Sequence, residues 1–268
     1  MAELAGRSLG ERTVSYDERD AILYALAVGA RETDLDLIFE DRLRVLPTFG
    51  LTLAQWAPDI LSEEGYFDKL SVHGSQTLDV LGELPRAGSL TLAARVGNVW
   101  DKGSAAVVEV VVECEFFKAT WSIFCPGRGG FGGERGPSAS ASASASAASG
   151  DPAQDQELAD ILFSTFPTQA ALYRLTGDRH HIHIDPEASA RIGQPKPILQ
   201  GLCTLAAALL PLAEARGAHP AGLRSMTGRF SGPVVPGDEL TIRRQGPERF
   251  EVLRGDAAVI TGGSAVFA

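Results

Sequence analysis

The sequence predicts an α+β fold in which one structural unit occurs twice. Three observations carry that expectation. Short motifs return at a nearly constant spacing, the segment Gly201–Ala215 is almost wholly apolar and rich in Ala and Leu, and runs of Val, Leu and Thr read as strands in both halves. A helix buried on most of its surface, accompanied by several antiparallel strands, is the composition of an α+β layer.

Leu23-Tyr24-Ala25-Leu26 returns 149 positions later as Leu172-Tyr173-Arg174-Leu175. Gly50-Leu51-Thr52-Leu53-Ala54 returns after 151 positions as Gly201-Leu202-Cys203-Thr204-Leu205-Ala206, with one insertion. Pro85, followed by Leu90-Thr91-Leu92, is answered at the same spacing of 151 by Pro236, followed by Leu240-Thr241-Ile242. Three matches in one order indicate duplication, and a period of about 150 is far too long for a solenoid. Near the junction lies an alternating Ser/Ala tract at residues 137–150, preceded by a Gly-rich run at 127–136. Such a segment buries too little to repay its ordering entropy and is expected to be a flexible linker. The expected organisation is therefore a first unit at 1–134, a linker at 135–152 and a second unit at 153–268.

Each unit opens with a helix carrying Leu-Tyr-x-Leu, continues with a second helix and ends in strands. Strands are expected at 89–96 and 105–116 in the first unit, and at 240–244 and 257–266 in the second. Asp185-Pro186, with Gly193 beyond the last turn, marks a short helix with Asp at the N-cap and Pro at its first position.

Composition removes whole classes of function. The 268 residues are 44% hydrophobic and 22% charged, which is globular and neither disordered nor collagen-like. With 24 Lys+Arg against 34 Asp+Glu the net charge is −10, so there is no broad positive field for nucleic acid or an anionic membrane. No stretch reaches the roughly 18 uncharged apolar residues of a membrane span, the N-terminal segment has no leader pattern, and the C-terminal residues match no peroxisomal address. Cys114, Cys125 and Cys203 are odd in number and far apart, which suits neither a disulfide framework nor a thiolate zinc site. The expectation is a soluble protein of the reducing cytoplasm, with no metal and no cofactor.

Three of the five histidines, His180, His181 and His183, fall within four positions. They lie in a loop before the Asp185 helix, where Asp178 and His183, five apart, can converge. An Asp and a His brought together form a general acid/base pair. The Pro-rich stretch from Gln194 then leads into the apolar helix with Gly201 in its first turn. Backbone N–H groups there lack intrahelical partners and carry the positive end of the helix dipole, so they suit an oxyanion on a carbonyl or thioester. The rival is a metal held by His181 and His183 with Asp178 or Asp185, but helix capping already accounts for Asp185. The Gly-rich run invites a phosphate-loop reading; no helix pattern follows it, which favours a strand exit or linker. Cys203 is expected to pack as a small apolar residue of the helix.

The segment Leu-Tyr-Arg-Leu-Thr-Gly-Asp178-x-His-His-x-His183-Ile-Asp-Pro, continued by Pro-x-Pro-Ile-Leu-Gln-Gly201-Leu-Cys-Thr, resembles the hydratase 2 motif of MaoC-like (R)-specific enoyl-CoA hydratases, or 3-hydroxyacyl-thioester dehydratases. In the first half, Tyr16-x-x-Arg19-Asp20, Val45-Leu46-Pro47-Thr48-Phe49, His73-Gly74-x-Gln76 and Asp101-Lys102-Gly103 are similar to the non-catalytic half of two-unit members. The resemblance implies a double hotdog, with each antiparallel sheet wrapping a long central helix. It implies reversible syn addition of water to a trans-2-enoyl-CoA, without metal or redox cofactor, in fatty acid metabolism. By position it makes Asp178 and His183 the catalytic pair and Gly201 the oxyanion amide. His180 and His181 stand where the family usually has Asn-Pro, and Gln200 where it usually has His.

His180, Gln200, Lys196 and His73 are the candidate substrate-binding residues. Lys196 would pair with a CoA phosphate unless it is ordinary solvated surface, and His73 lines the acyl site unless it is a hydrogen-bonded structural His. The alternatives within this reading are a dehydratase working on acyl-carrier-protein substrates and a catalytically silent acyl-thioester-binding protein; retention of both Asp178 and His183 argues against the silent one. The 149-residue offset puts Gly29 opposite Asp178 and Asp34 opposite His183, so one active site per chain is expected. A homodimer is allowed but not required, since the fused units already supply each other with a partner.

Overall fold

The computed structural model describes residues 1–137 and 158–268, so most of the expected linker lies outside the described residues. The first unit runs β1 (Ser8–Tyr16), α1 (Glu18–Ala27), α2 (Leu35–Ile38), α3 (Phe49–Leu53), α4 (Trp56–Glu63), β2 (Val72–Val80), β3 (Gly88–Asp101), β4 (Ala105–Glu113) and β5 (Phe117–Pro126). The second runs β6 (Ile161–Ser164), α5 (Gln169–Tyr173), α6 (Pro186–Arg191), α7 (Gly201–Ala215), β7 (Leu223–Phe230), β8 (Glu239–Arg244), β9 (Arg249–Arg254) and β10 (Ala257–Phe267). All strand pairs are antiparallel, and the order across the sheet is β1-β3-β4-β5-β2-β7-β10-β9-β8-β6.

Read inward from either edge, the two halves of that order are the same. The duplication is therefore a structural one, with the copies related by a local twofold axis where β2 meets β7. This is the double hotdog that the resemblance implies, with its two sheets fused into one of ten strands. The starting device of each unit is also repeated. Asp17 and Asp20 form a capping box on α1, in which the Asp17 N–H donates to Asp20 Oδ2 at 3.1 Å. In the second copy the Phe166 N–H donates to Gln169 Oε1 at 3.2 Å, 149 positions on.

The helix α7 occupies the residues expected of it, and all of 202–209 are buried. Its counterpart in the first unit is not one long helix. Pro58 lacks an N–H and its ring crowds the carbonyl four residues back, so it sits with least strain in the first turn of a helix. The chain accordingly stops α3 at Leu53 and restarts α4 at Trp56. The two Leu-Tyr-x-Leu motifs meet in the core, where the buried rings of Tyr24 and Tyr173 lie 6.0 Å apart and Phe49 packs at a tilt, 5.2 Å from Tyr24. No helix among the described residues is long and apolar enough to cross a membrane.

The Gly-rich run after β5 is not a featureless exit from the sheet. It curls around the Asp101 carboxylate, which accepts the N–H groups of Gly103, Gly130 and Gly132, each at 2.8 Å. These bonds, that of Gly130 foremost, pull the Asp101 pKa down to about 2 from an ordinary value of 3.8. A depressed carboxylate pKa contributes stability above the unfolded value, and that contribution is lost as pH falls toward 2. Asp101→Asn should therefore lower Tm at neutral pH and speed amide exchange at Gly130 and Gly132. The Tm difference from the wild type should shrink between pH 5 and pH 2, as followed by thermal denaturation.

Candidate active site

The loop that carries Asp178 and His183 is built by local rules. After α5 the chain makes one 3-10 turn, Arg174–Thr176, and reverses at Gly177, whose φ is +153°. A Cβ at Gly177 would lie 3.2 Å from the carbonyl oxygen of Thr52, so glycine lets this loop of the second unit rest directly on α3 of the first. Asp178 Oδ1 then accepts the His180 N–H at 3.1 Å, and the His180 ring caps the next 3-10 turn, His181–His183, by accepting from the Ile182 N–H at 3.4 Å. The Pro-rich stretch is laced to that turn. The Ile198 N–H donates to the Ile182 carbonyl at 3.2 Å, and His183 Nδ1–H donates to the Ile198 carbonyl at 2.8 Å.

That last bond decides the tautomer. A carbonyl only accepts, so Nδ1 holds the proton of the neutral ring and Nε2 presents a lone pair. His183 Nε2 lies 3.7 Å from Asp178 Oδ2, too far for a direct hydrogen bond and close enough for one water to touch both. His183 is 8% exposed. Burial lowers its pKa below the ordinary 6.5, opposed by the neighbouring Asp178 charge and by the Ile198 carbonyl. The ring is thus neutral at physiological pH.

Gly201 opens α7, where its N–H has no intrahelical acceptor. A Cβ there would come 2.9 Å from the Phe230 ring, so the last residue of β7 packs straight onto the glycine. Phe230 in turn meets His73 edge-on, with ring centroids 4.8 Å apart. His73 therefore stands two contacts from Gly201. Its Nε2 bonds the Ser75 carbonyl at 3.1 Å, and burial pulls its pKa to about 4, so the ring is uncharged.

The other candidates spread out. His180 is exposed, its ring 6.2 Å from that of His183. Gln200 is 1% exposed and donates to the Ala170 carbonyl at 3.3 Å, which directs its amide to α5. Lys196 is exposed, and its carbonyl accepts the Ser189 hydroxyl. Asp185 caps α6, accepting from the Glu187 N–H at 2.9 Å. Among the described residues no cluster of three His, Cys, Asp or Glu side chains is arranged to hold a metal. Sequence reasoning missed Thr52, Phe230 and Asp59 of α4. The Asp59 carboxyl is raised from 3.8, first by the protein enclosing it and also by Asp178 and Glu63, although the residue stays open to solvent. The repeat held a signal for Thr52, which falls 151 positions before Cys203; nothing in the sequence pointed to Phe230.

Two family models cover the chain. Residues 14–124 match the MFE-2 hydratase 2 N-terminal domain, and residues 146–255 match the MaoC like domain. The enoyl-CoA hydratase ChsH3 of Mycobacterium tuberculosis is 34% identical over 88% of this chain and 86% of its own. The peroxisomal multifunctional enzyme type 2 of Drosophila melanogaster is 34% identical over 87% of this chain, which corresponds to 41% of that longer protein. Among solved structures, a MaoC-like dehydratase from Phytophthora capsici superposes with a TM-score of 0.82 at 26% identity, over 100% of this chain and 97% of its own.

Gly177→Ala tests the loop's seating on α3. The added carbon meets the Thr52 carbonyl in a backbone conformation that L residues avoid, so thermal or urea unfolding should show a loss of about 1–3 kcal/mol.

Proposed function

The chain belongs to the MaoC-like, hydratase 2 family of hydro-lyases, and on that premise we propose that it reversibly hydrates trans-2-enoyl-CoA to (3R)-3-hydroxyacyl-CoA at the Asp178/His183 site. The observation that carries this reading is the 3.7 Å gap between His183 Nε2 and Asp178 Oδ2, with Nδ1 tied to the Ile198 carbonyl. A water in that gap offers one hydrogen to the Nε2 lone pair and the other to the carboxylate. As its oxygen bonds to C3, the water gives up a proton to the pair, and C2 receives a proton from the pair on the same face. The Gly201 N–H bears the charge that gathers on the thioester oxygen. Dehydration runs the same steps backward, with C2 giving up its proton and the C3 hydroxyl leaving as water.

One such site per chain is proposed, because Gly29 and Asp34 occupy the matching positions of the first unit and Arg31 already holds Asp34 at 3.0 Å. Three free cysteines, two of them buried, support a reducing compartment such as the cytoplasm.

The reaction is followed as loss of enoyl-thioester absorbance with crotonyl-CoA and a longer enoyl-CoA. Asp178→Asn and His183→Ala are each expected to cut kcat by about 10² to 10⁴; hydration undiminished in both would overturn the mechanism. The pH profile gives an independent check. Protonating Nε2 removes its lone pair, so kcat/KM should fall on the acid side, with an inflection below 6.5. Asp178 raises the His183 pKa, so in the residual activity of Asp178→Asn that inflection should move further down.

A further inference from the structure

The duplication gives the catalytic loop a counterpart on the opposite side of the molecule. In the second unit the loop after α5 rests on the helices of the first: Gly177 touches Thr52, and Asp178 and His180 lie close enough to Asp59 to act on its carboxyl. In the first unit the loop after α1 rests on α7 in the same way. The Ala27 carbonyl takes the Cys203 thiol at 3.6 Å, and Arg31 Nη1 lies 3.3 Å from Glu214 Oε2. Arg31 precedes His180 by 149 positions, while Cys203 and Glu214 follow Thr52 and Glu63 by 151. The two loops take equivalent places against the helices of the opposite unit.

Between this second loop and α7 opens a cavity of about 980 Å³, at the upper end of the size range of small-molecule sites. Val28, Leu37, Phe163 and Leu210 contribute an apolar lining, and Leu35 and Leu162, 41% and 78% exposed, form an apolar lip. Pro211 has no N–H, so the Ala207 carbonyl lacks its helical donor, and both residues line the cavity. Arg31, Arg42 and His219 stand in the lining opposite Asp34, Asp36 and Glu214. The cavity keeps the catalytic site's position in the unit without its acid/base pair.

We infer that this cavity is a second, non-catalytic acyl site, which takes the acyl chain and pantetheine arm of an acyl-CoA. The apolar lining suits the chain, the Ala207 carbonyl, which Pro211 cannot serve, suits a pantetheine amide N–H, and Arg42 suits a phosphate. The ligand class rests on the reading of the catalytic site given above.

Isothermal titration with dodecanoyl-CoA, which is saturated and undergoes no hydration, tests it on the full chain. Two equivalents should bind to the wild type. Leu210→Glu should remove the second or weaken it at least about tenfold, while crotonyl-CoA hydration stays unchanged. Ala215→Trp, on the exposed last turn of α7, should obstruct the same cavity without burying a charge, and so covers the case in which Leu210→Glu fails to fold. A single equivalent in the wild type, or two in both folded variants, overturns the second site alone. No binding at all overturns the catalytic reading with it. Dodecanoate displacing the second equivalent as well as dodecanoyl-CoA does would overturn the pantetheine assignment and make the ligand a free fatty acid.

Discussion

Everything about the site depends on the pairing of β2 with β7. Their register, from Ser75 opposite Arg229 to Asp79 opposite Ser225, joins two five-stranded sheets into one. Thr77 and Thr227 occupy the same position in the two copies, and their hydroxyls meet at 3.2 Å. The local twofold axis therefore passes through a hydrogen bond between a residue and its own duplicate. A slip of one residue would turn every side chain of β7 to the other face of the sheet. In the observed register His73 leaves β2 and Phe230 leaves β7 at the same end, and Phe230 closes over Gly201. The floor of the proposed catalytic site is in this sense an end effect of strand pairing.

What was legible in the sequence is what neighbouring residues settle among themselves. The apolar run with Gly201 at its start becomes α7, Asp185-Pro186 caps α6, and the turns between Asp178 and His183 bring those two side chains together over five positions. The duplication was legible because it leaves paired traces at one spacing. The fusion of the two sheets was not, since strand pairing between units leaves no local mark. The division of the first unit's central helix had a visible cause in Pro58, but α7 also contains a proline, Pro211, and continues through it. A proline in the sequence therefore does not by itself settle where a helix stops. Phe230 lies 29 positions from Gly201 and Thr52 lies 125 from Gly177, so no reading of short patterns would pair them.

The two loops show how one duplicated design has come to hold different chemistry. In one, burial and a backbone carbonyl keep His183 neutral beside a carboxylate. In the other, Arg31 and Asp34 neutralise each other with side chains that are partly solvated. An ion pair of that kind is worth little as stability, but it removes the free lone pair and the free carboxylate that proton transfer requires. The packing beneath both loops, through Tyr24 and Tyr173, is alike while the side chains at the proposed reactive positions are not.

The glycine loop around Asp101 has its own consequence. Three backbone N–H groups converging on one oxygen-bearing anion make the kind of concavity that elsewhere binds phosphate. Here the anion is part of the chain, so it is present at an effective concentration on the order of millimolar or above, whatever the solution contains. A nucleotide diphosphate would have to displace a tethered competitor that never diffuses away. The loop is self-liganded, and the adenine-nucleotide end of a CoA molecule must find its contacts elsewhere on the surface.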